Sequence, residues 1–134
     1  MNFWDFVGRW NGRYCEVDGV YPNQCVDLTK AYFEALGLPK YRGSAWAYGR
    51  GFHPEAFHWE RNTLWGEPAR GDIVVVRWGR LYHVGICISA NHWTFDMLDQ
   101  NAPVGSVCSV HRYNYIWPVC VGWLKPRVHL PGEY

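Results

Sequence analysis

Residues 71–89 have the sequence GDIVVVRWGRLYHVGICIS, and this stretch sets the expected fold class. It begins with β-branched and apolar residues over 72–78, which are typical of a buried strand. Gly79-Arg80 then predicts a tight turn, and residues 81–89 predict a second strand. Two strands joined by so short a turn run antiparallel. We therefore expect an antiparallel sheet in the second half of the chain.

The strand pattern continues on the C-terminal side of this hairpin. Ala90-Asn91 predicts another turn, and a third strand follows over 93–99. Two further strands are predicted over 107–115 and 119–123. Antiparallel pairing would bring the end of the third strand back beside the second strand.

The N-terminal side has a helical period instead. Apolar residues recur at helical spacing over 2–10, and a second helix is predicted to start near Gln24 and to end at Gly37. Residues 40–70 are rich in glycine and proline, so we expect an irregular segment with at most a helical turn over 45–48. Helices followed by antiparallel strands indicate an α+β fold, with the helices packed on one twisted sheet.

The bulk composition restricts the function classes. The chain has 134 residues, which suits a single domain over 1–134, and 49% of them are hydrophobic, which argues against disorder. The net charge of +1 is unlike the basic excess of a general nucleic-acid binder. No apolar run approaches the roughly 20 residues of a membrane span, and the N-terminus lacks the pattern of a signal peptide. We expect neither a nucleic-acid partner nor a membrane span.

The five cysteines favour free thiols over a disulfide framework. An odd number of cysteines without a signal peptide is typical of a reducing compartment. The sequence has no Cys-x-x-Cys pair, so a structural zinc site is disfavoured. The cysteines are Cys15, Cys25, Cys87, Cys108 and Cys120.

Cys25 differs from the other cysteines in its position, because it lies at the predicted start of the second helix. The helix dipole and the free backbone N–H groups at that end favour a thiolate over a thiol. A thiolate is the form in which a cysteine acts as a nucleophile. An ordinary small buried residue is the alternative interpretation of Cys25.

A cysteine nucleophile needs a base, and His83 in the second predicted strand is the candidate. With a period of two, His83 shares a face with Gly85 and Cys87, and such small residues would let a helix approach closely. Asp99 and Asn101 end the next strand, where pairing would bring Asp99 towards His83 as its orienting group. Each residue alone could be structural, but together they form a nucleophile, a base and an orienter.

The segments around these residues resemble the CHAP domains, the cysteine, histidine-dependent amidohydrolases/peptidases. The resemblance extends from about residue 3 to 126, and its motifs occur in the order of the family. The motifs are DGVYPNQCVDL at 18–28, GDIVV at 71–75, YHVGI at 82–86, DQN at 99–101 and GWLKP at 122–126.

The resemblance implies a papain-like α+β fold and a set of catalytic roles. It implies Cys25 as the nucleophile, His83 as the general base and Asp99 as the orienter, where many members have Glu. Asn101 would be a supporting polar residue. Gln24 would donate to the oxyanion together with the Cys25 backbone N–H.

Members of this family cleave amide bonds of peptidoglycan, either between muramic acid and L-alanine or within the peptides. The resemblance therefore implies a peptidoglycan hydrolase of the amidase or endopeptidase type. We expect a monomeric single-domain phage endolysin without a separate wall-binding domain, made in the host cytoplasm and acting on the wall at lysis. Two alternatives remain open: a thiol amidase acting on a soluble conjugate such as glutathionylspermidine, and a non-catalytic tail or wall-binding protein.

Some members of the family also bind calcium in the loop before the cysteine. Glu16, Asp18 and Asp27 match the acidic positions of that site, and the carbonyls of Val20 and Pro22 would add oxygen ligands. A solvated acidic loop is the alternative. The ion would stabilise the loop, and the chemistry itself would require no cofactor.

Overall fold

The computed structural model describes residues 1–15, 25–39, 55–102 and 104–132. These residues form two helices followed by six strands, which is the expected α+β order. The elements are α1 (Phe3–Trp10), α2 (Cys25–Ala35), β1 (Phe57–Arg61), β2 (Ile73–Trp78), β3 (Leu81–Ala90), β4 (Thr94–Asp99), β5 (Ser109–Asn114) and β6 (Val119–Pro126). The strands form one antiparallel sheet in the order β1-β6-β2-β3-β4-β5.

Helix α1 starts at a capping box. The side chain of Asn2 accepts from the backbone N–H of Asp5, and the Asp5 carboxylate accepts from the backbone N–H of Asn2. Two of the N–H groups left free at a helix start are thereby satisfied. The helix buries Phe3, Phe6 and Val7 on one side, as the apolar spacing predicts.

Helix α2 begins at Cys25 and runs for 11 residues, too short for the roughly 20 residues that a bilayer span requires. No described helix is long and apolar enough to cross a membrane. Gly37 follows it with φ of +76°, a left-handed conformation that glycine adopts without strain, and this ends the helix as predicted. The Tyr32 hydroxyl donates to the Gly71 carbonyl over 2.8 Å and ties α2 to the segment that enters β2.

The prediction of an irregular segment over 40–70 is wrong for residues 57–61, which form β1. This edge strand pairs only with β6, from Phe57 opposite Pro126 to Arg61 opposite Gly122. It is five residues long and surrounded by turn-forming residues, so its own sequence predicts no strand. The pairing with β6, which is distant in the sequence, stabilises it. The predicted helical turn over 45–48 lies outside the described residues.

The helices cover only one face of the sheet. Leu28, Ala31 and Tyr32 of α2 pack in the same apolar cluster as Val84 and Ile86 of β3. The second face carries a separate cluster formed by Val74, Val76, Cys87, Phe95, Met97, Cys120 and Trp123. The sheet curls over this second cluster: β5 and β6 have three strands between them, yet the Cys120 N–H donates to the Tyr115 carbonyl over 3.2 Å.

The expectation that a helix packs closely on the face of His83 is wrong. His83 shares the face of Cys87, as the period of two predicts, but the body of α2 packs on the opposite face, and α2 approaches His83 with its first residue, Cys25. Gly85 therefore makes no room for a helix. A side-chain carbon there would lie 2.8 Å from the Leu98 carbonyl and 2.9 Å from the Asp99 β-carbon. The absent side chain at Gly85 lets β4 bring Asp99 close to β3.

Candidate active site

Cys25 is the least buried of the five cysteines. It is the first residue of α2 and is half-buried, whereas the other four are buried. Burial, the largest cause in each case, raises the pKa of Cys15, Cys108 and Cys120 to about 12 and also raises that of Cys87. These four thiols are therefore protonated and unreactive at neutral pH. The first N–H groups of α2, including that of Cys25, have no partner within the helix.

His83 connects Cys25 to a carboxylate. Its Nε2 lies 3.0 Å from Oδ2 of Asp99, and the Cys25 side chain lines the same pocket and is close enough to raise the pKa of the ring. Because Nε2 faces Asp99, Nδ1 is the nitrogen left for the sulfur. The ring is only 5% exposed and packs against Trp78, with ring centroids 5.8 Å apart. Sulfur, imidazole and carboxylate thus follow one another in the order of a cysteine triad.

The surroundings of His83 set its protonation state. Burial opposes the charged form, but the hydrogen bonds to Asp99 and Cys25, with the negative charges of both groups, raise the pKa of His83 to about 9. The ring is therefore an imidazolium at neutral pH.

Asp99 is fully buried, yet its carboxylate is surrounded by donors. Oδ2 accepts from His83 Nε2 and from the Tyr113 hydroxyl. Oδ1 lies 2.6 Å from Nδ1 of His111. The register explains the arrangement, because Gly85 of β3 stands opposite Asp99, and Ser109 of β5 stands opposite it on the other side. Hydrogen bonds of this kind offset the free-energy cost of burying a polar group.

His111 and Tyr113 are members of the site that the sequence analysis did not find. They alternate along β5 and so share one face, which is a signal that a period of two could have provided. Without the register of β5 against β4, that pattern does not show that the two residues lie beside Asp99. Negative charge on Asp99 and, first of all, burial raise the pKa of Tyr113, so its hydroxyl stays a donor.

The two residues after Asp99 have structural contacts, local for Asn101 and long-range for Gln100. Asn101 has φ of +67°, its side-chain oxygen accepts from the Gly105 N–H over 2.5 Å, and its own N–H donates to the Ser106 carbonyl. It lines the pocket beside His83, and its supporting catalytic role stays a prediction. Gln100 is buried and pairs with the backbone of Cys15 through both ends of its amide, over 2.5 and 2.8 Å. This contact fastens Cys15 to the residue that follows β4.

Several predicted site residues lie outside the described residues. They are Gln24, the predicted oxyanion donor, and Glu16, Asp18, Val20 and Pro22 of the predicted calcium loop. Asp27, the remaining predicted ligand, lies in the first turn of α2 and is only 1% exposed. Among the described residues, no group of three or more His, Cys, Asp or Glu side chains could hold a metal ion.

An open pocket of about 540 Å³ gives access to the site. Cys25, His83 and His111 line it, and Trp78 and Tyr82 provide aromatic walls. An apolar pocket with a few convergent polar groups is the usual form of a substrate site. Its aromatic walls suit a ligand with apolar as well as polar surface.

Comparisons with known proteins bear on the family and the fold of the chain. A family model for the CHAP domain matches residues 16–101, which is more than half of the chain. No curated protein matches the sequence.

Three solved structures have a similar fold. The crystal structure of a wild type endolysin, LysIME-EF1, has a TM-score of 0.77 and 24% identity, over 92% of this chain and 62% of that chain. Ly7917 has a TM-score of 0.64 and 18% identity, over 92% and 60% of the two chains. Ly7917 with the hydrolyzing product of MDP has a TM-score of 0.62 and 16% identity, over 92% and 61%. The present chain therefore spans between 60% and 62% of the length of these solved chains.

Proposed function

The chain belongs to the CHAP domain family, and from that premise we propose that it is a peptidoglycan hydrolase that cleaves amide bonds with a cysteine nucleophile. The observation that carries the proposal is the order Cys25, His83, Asp99, in which Cys25 and His83 line one open pocket and the buried Asp99 lies behind His83. The similarity in fold to a structure described as an endolysin supports the bacterial wall as the substrate. Production in the host cytoplasm and action on the wall at lysis belong to the same proposal.

The reaction would proceed through a thioester. The Cys25 thiolate attacks the scissile carbonyl carbon, and the resulting oxyanion accepts hydrogen bonds from the Cys25 backbone N–H and from Gln24. The C–N bond then breaks, and the departing nitrogen takes the proton from the His83 imidazolium. Neutral His83 next accepts a proton from water, whose oxygen attacks the thioester. The acid product leaves, and the thiolate and imidazolium are restored.

The protonation of His83 refines its predicted role as general base. With a pKa of about 9, the ring holds a proton before substrate binds. Its first act in the cycle is therefore to donate that proton to the leaving amine, and it acts as a base only in the hydrolysis of the thioester. Asp99 would stabilise the imidazolium and keep Nδ1 directed at the sulfur.

The two alternative functions have less support. A non-catalytic binding protein would not need a half-buried thiol in the same pocket as an imidazole that is itself held by a buried carboxylate. A thiol amidase for a soluble conjugate would use the same three residues. It differs from the proposal only in its substrate, so the test has to include both substrates.

The test is the turbidity of purified cell walls incubated with the protein, with mass spectrometry of the released fragments. We expect wild-type protein to clear the walls and Cys25→Ala to show no clearing, while both melt at similar temperatures. Cys120→Ala is the matched control, because Cys120 is buried on the second face of the sheet and should leave turnover nearly unchanged. Clearing by Cys25→Ala at the wild-type rate would refute the nucleophile. Cleavage of glutathionylspermidine without clearing of walls would favour the soluble-substrate alternative.

A further inference from the structure

His111 has contacts that set it apart from an ordinary exposed histidine. Its Nδ1 lies 2.6 Å from Oδ1 of Asp99, and its Nε2 lies 3.2 Å from the Ser109 hydroxyl. Its side chain is 38% exposed on one side, while the carboxylate it contacts is fully buried. Each nitrogen of the ring thus has a polar partner, and this determines how the ring is turned.

The two oxygens of the Asp99 carboxylate have different hydrogen-bond partners. An ionised carboxylate only accepts hydrogen bonds, so each ring nitrogen that faces it carries a hydrogen. Oδ2 receives the N–H of His83 and the hydroxyl of Tyr113, whereas Oδ1 receives the N–H of His111. Without the contact to Oδ1, the carboxylate could rotate about its last side-chain bond. The hydrogen bond from His111 opposes that rotation and keeps Oδ2 directed at His83.

The register of the sheet makes this contact possible. Asp99 of β4 stands directly opposite Ser109 of β5, and His111 is the diagonal neighbour on the same face. Diagonal neighbours in an antiparallel pair are within reach of long side chains. The Tyr113 ring lies edge-on to the His111 ring, with centroids 6.4 Å apart, and so limits its movement.

We propose that His111 is a positioning residue of the proposed hydrolase: through its hydrogen bond to Oδ1 it holds the Asp99 carboxylate in the orientation that directs His83 at Cys25. The proposal rests on the function proposed above. His111 touches neither the sulfur nor His83 among the described contacts, so it acts through Asp99. The triad is thereby extended to a fourth residue on a different strand.

Two amides of different length provide a sharp test. In His111→Asn the amide nitrogen lies near the position of Nδ1 and can still donate to Oδ1. In His111→Gln the amide lies near the position of Nε2, and His111→Leu has no donor at all. His92, an exposed histidine in the turn between β3 and β4, is the matched control as His92→Leu.

The first measurement is the kinetics of cleavage of a soluble peptidoglycan fragment. We expect kcat to fall about tenfold to a hundredfold in His111→Gln and His111→Leu, with little change in KM, because misplaced catalytic groups slow the chemical step. His111→Asn should restore most of kcat, and His92→Leu should behave as wild type. A rise in KM with kcat unchanged would mean that His111 contacts the substrate instead, and would overturn the proposal.

The second measurement needs no substrate. The proton on His83 Nε2, hydrogen-bonded to Asp99, should give a low-field NMR resonance, assigned by its loss in His83→Asn. We expect it in wild type and in His111→Asn, and shifted or broadened in His111→Gln and His111→Leu. An unchanged resonance in all three variants would overturn the proposal even if walls are cleared. If the wild type clears no walls, the proposed function fails, while the resonance still decides the role of His111.

Discussion

The ring of His83 lies between a carboxylate and a thiol, and its position leads to a prediction about pH. Its folded pKa of about 9 is above the ordinary value of 6.5, so the proton needed by the leaving amine is lost only as pH rises through about 9. We expect kcat/KM on a soluble fragment to fall on the alkaline side with an apparent pKa of about 9. The buried cysteines with a pKa of about 12 or above stay protonated in this range. A fall in kcat/KM centred near pH 6.5 would contradict the conclusion that His83 is protonated at neutral pH.

Substitution of Asp99 should lower kcat less than substitution of His83. His83→Ala removes the group that exchanges protons, which costs roughly 10²–10⁴-fold in kcat. Asp99→Asn keeps the size of the side chain and one accepting oxygen, so we expect a smaller loss of kcat, measured on samples with equal folded fractions. Asp99→Ala would also lower the melting temperature, because three donors would lose their acceptor. An Asp99→Asn variant slower than His83→Ala would contradict this order of roles.

At the scale of elements, the close approach of β3 and β4 depends on Gly85. A methyl group there would lie 2.8 Å from the Leu98 carbonyl, and backbone cannot yield as a flexible side chain would. We expect Gly85→Ala to destabilise the fold by about 1–3 kcal/mol and to lower kcat by moving Asp99 away from His83. Thermal melting and turnover measure the two effects.

Gly8→Ala is the matched control for that experiment. Gly8 lies within α1, and a methyl group there would meet no atom within 4 Å. Alanine is also the better helix former, so we expect an unchanged or slightly higher melting temperature with normal turnover. If Gly85→Ala behaved like Gly8→Ala, the spacing of β3 and β4 would not be what positions Asp99.

Bound calcium would affect the stability of the whole molecule. We propose that an ion bound by Glu16, Asp18 and Asp27 stabilises the segment before Cys25 and leaves the chemical step unchanged. Binding would add about 2.7 kcal/mol to the free energy of unfolding at a hundred times Kd. We expect excess calcium to raise the melting temperature relative to a chelator, and the same concentration of magnesium to do so less. An unchanged melting temperature, with no ion found by elemental analysis, would leave a solvated acidic loop.

Much of the fold and of the candidate site could be predicted from the sequence, because the patterns that indicate them are local. The β-branched run and the turn at Gly79 predict the hairpin of β2 and β3, and Gly37 predicts the end of α2. A cysteine at a helix start and a histidine in a strand follow from the same local patterns. Even the approach of Asp99 to His83 follows from a short hairpin, since few residues separate the paired strands.

The rest was decided by contacts between residues that are distant in the sequence. Edge strand β1 exists because β6, some sixty residues later, pairs with it (Phe57 opposite Pro126). His111 reaches Asp99 because β5 pairs with β4 in one register, which no local pattern specifies. The charge on His83 arises from two partners on other elements, which outweigh the opposing effect of burial. Electrostatic and hydrogen-bond energies depend on distances of a few ångströms in space. Only the tertiary structure could therefore show that His83 is protonated and that His111 contacts Asp99.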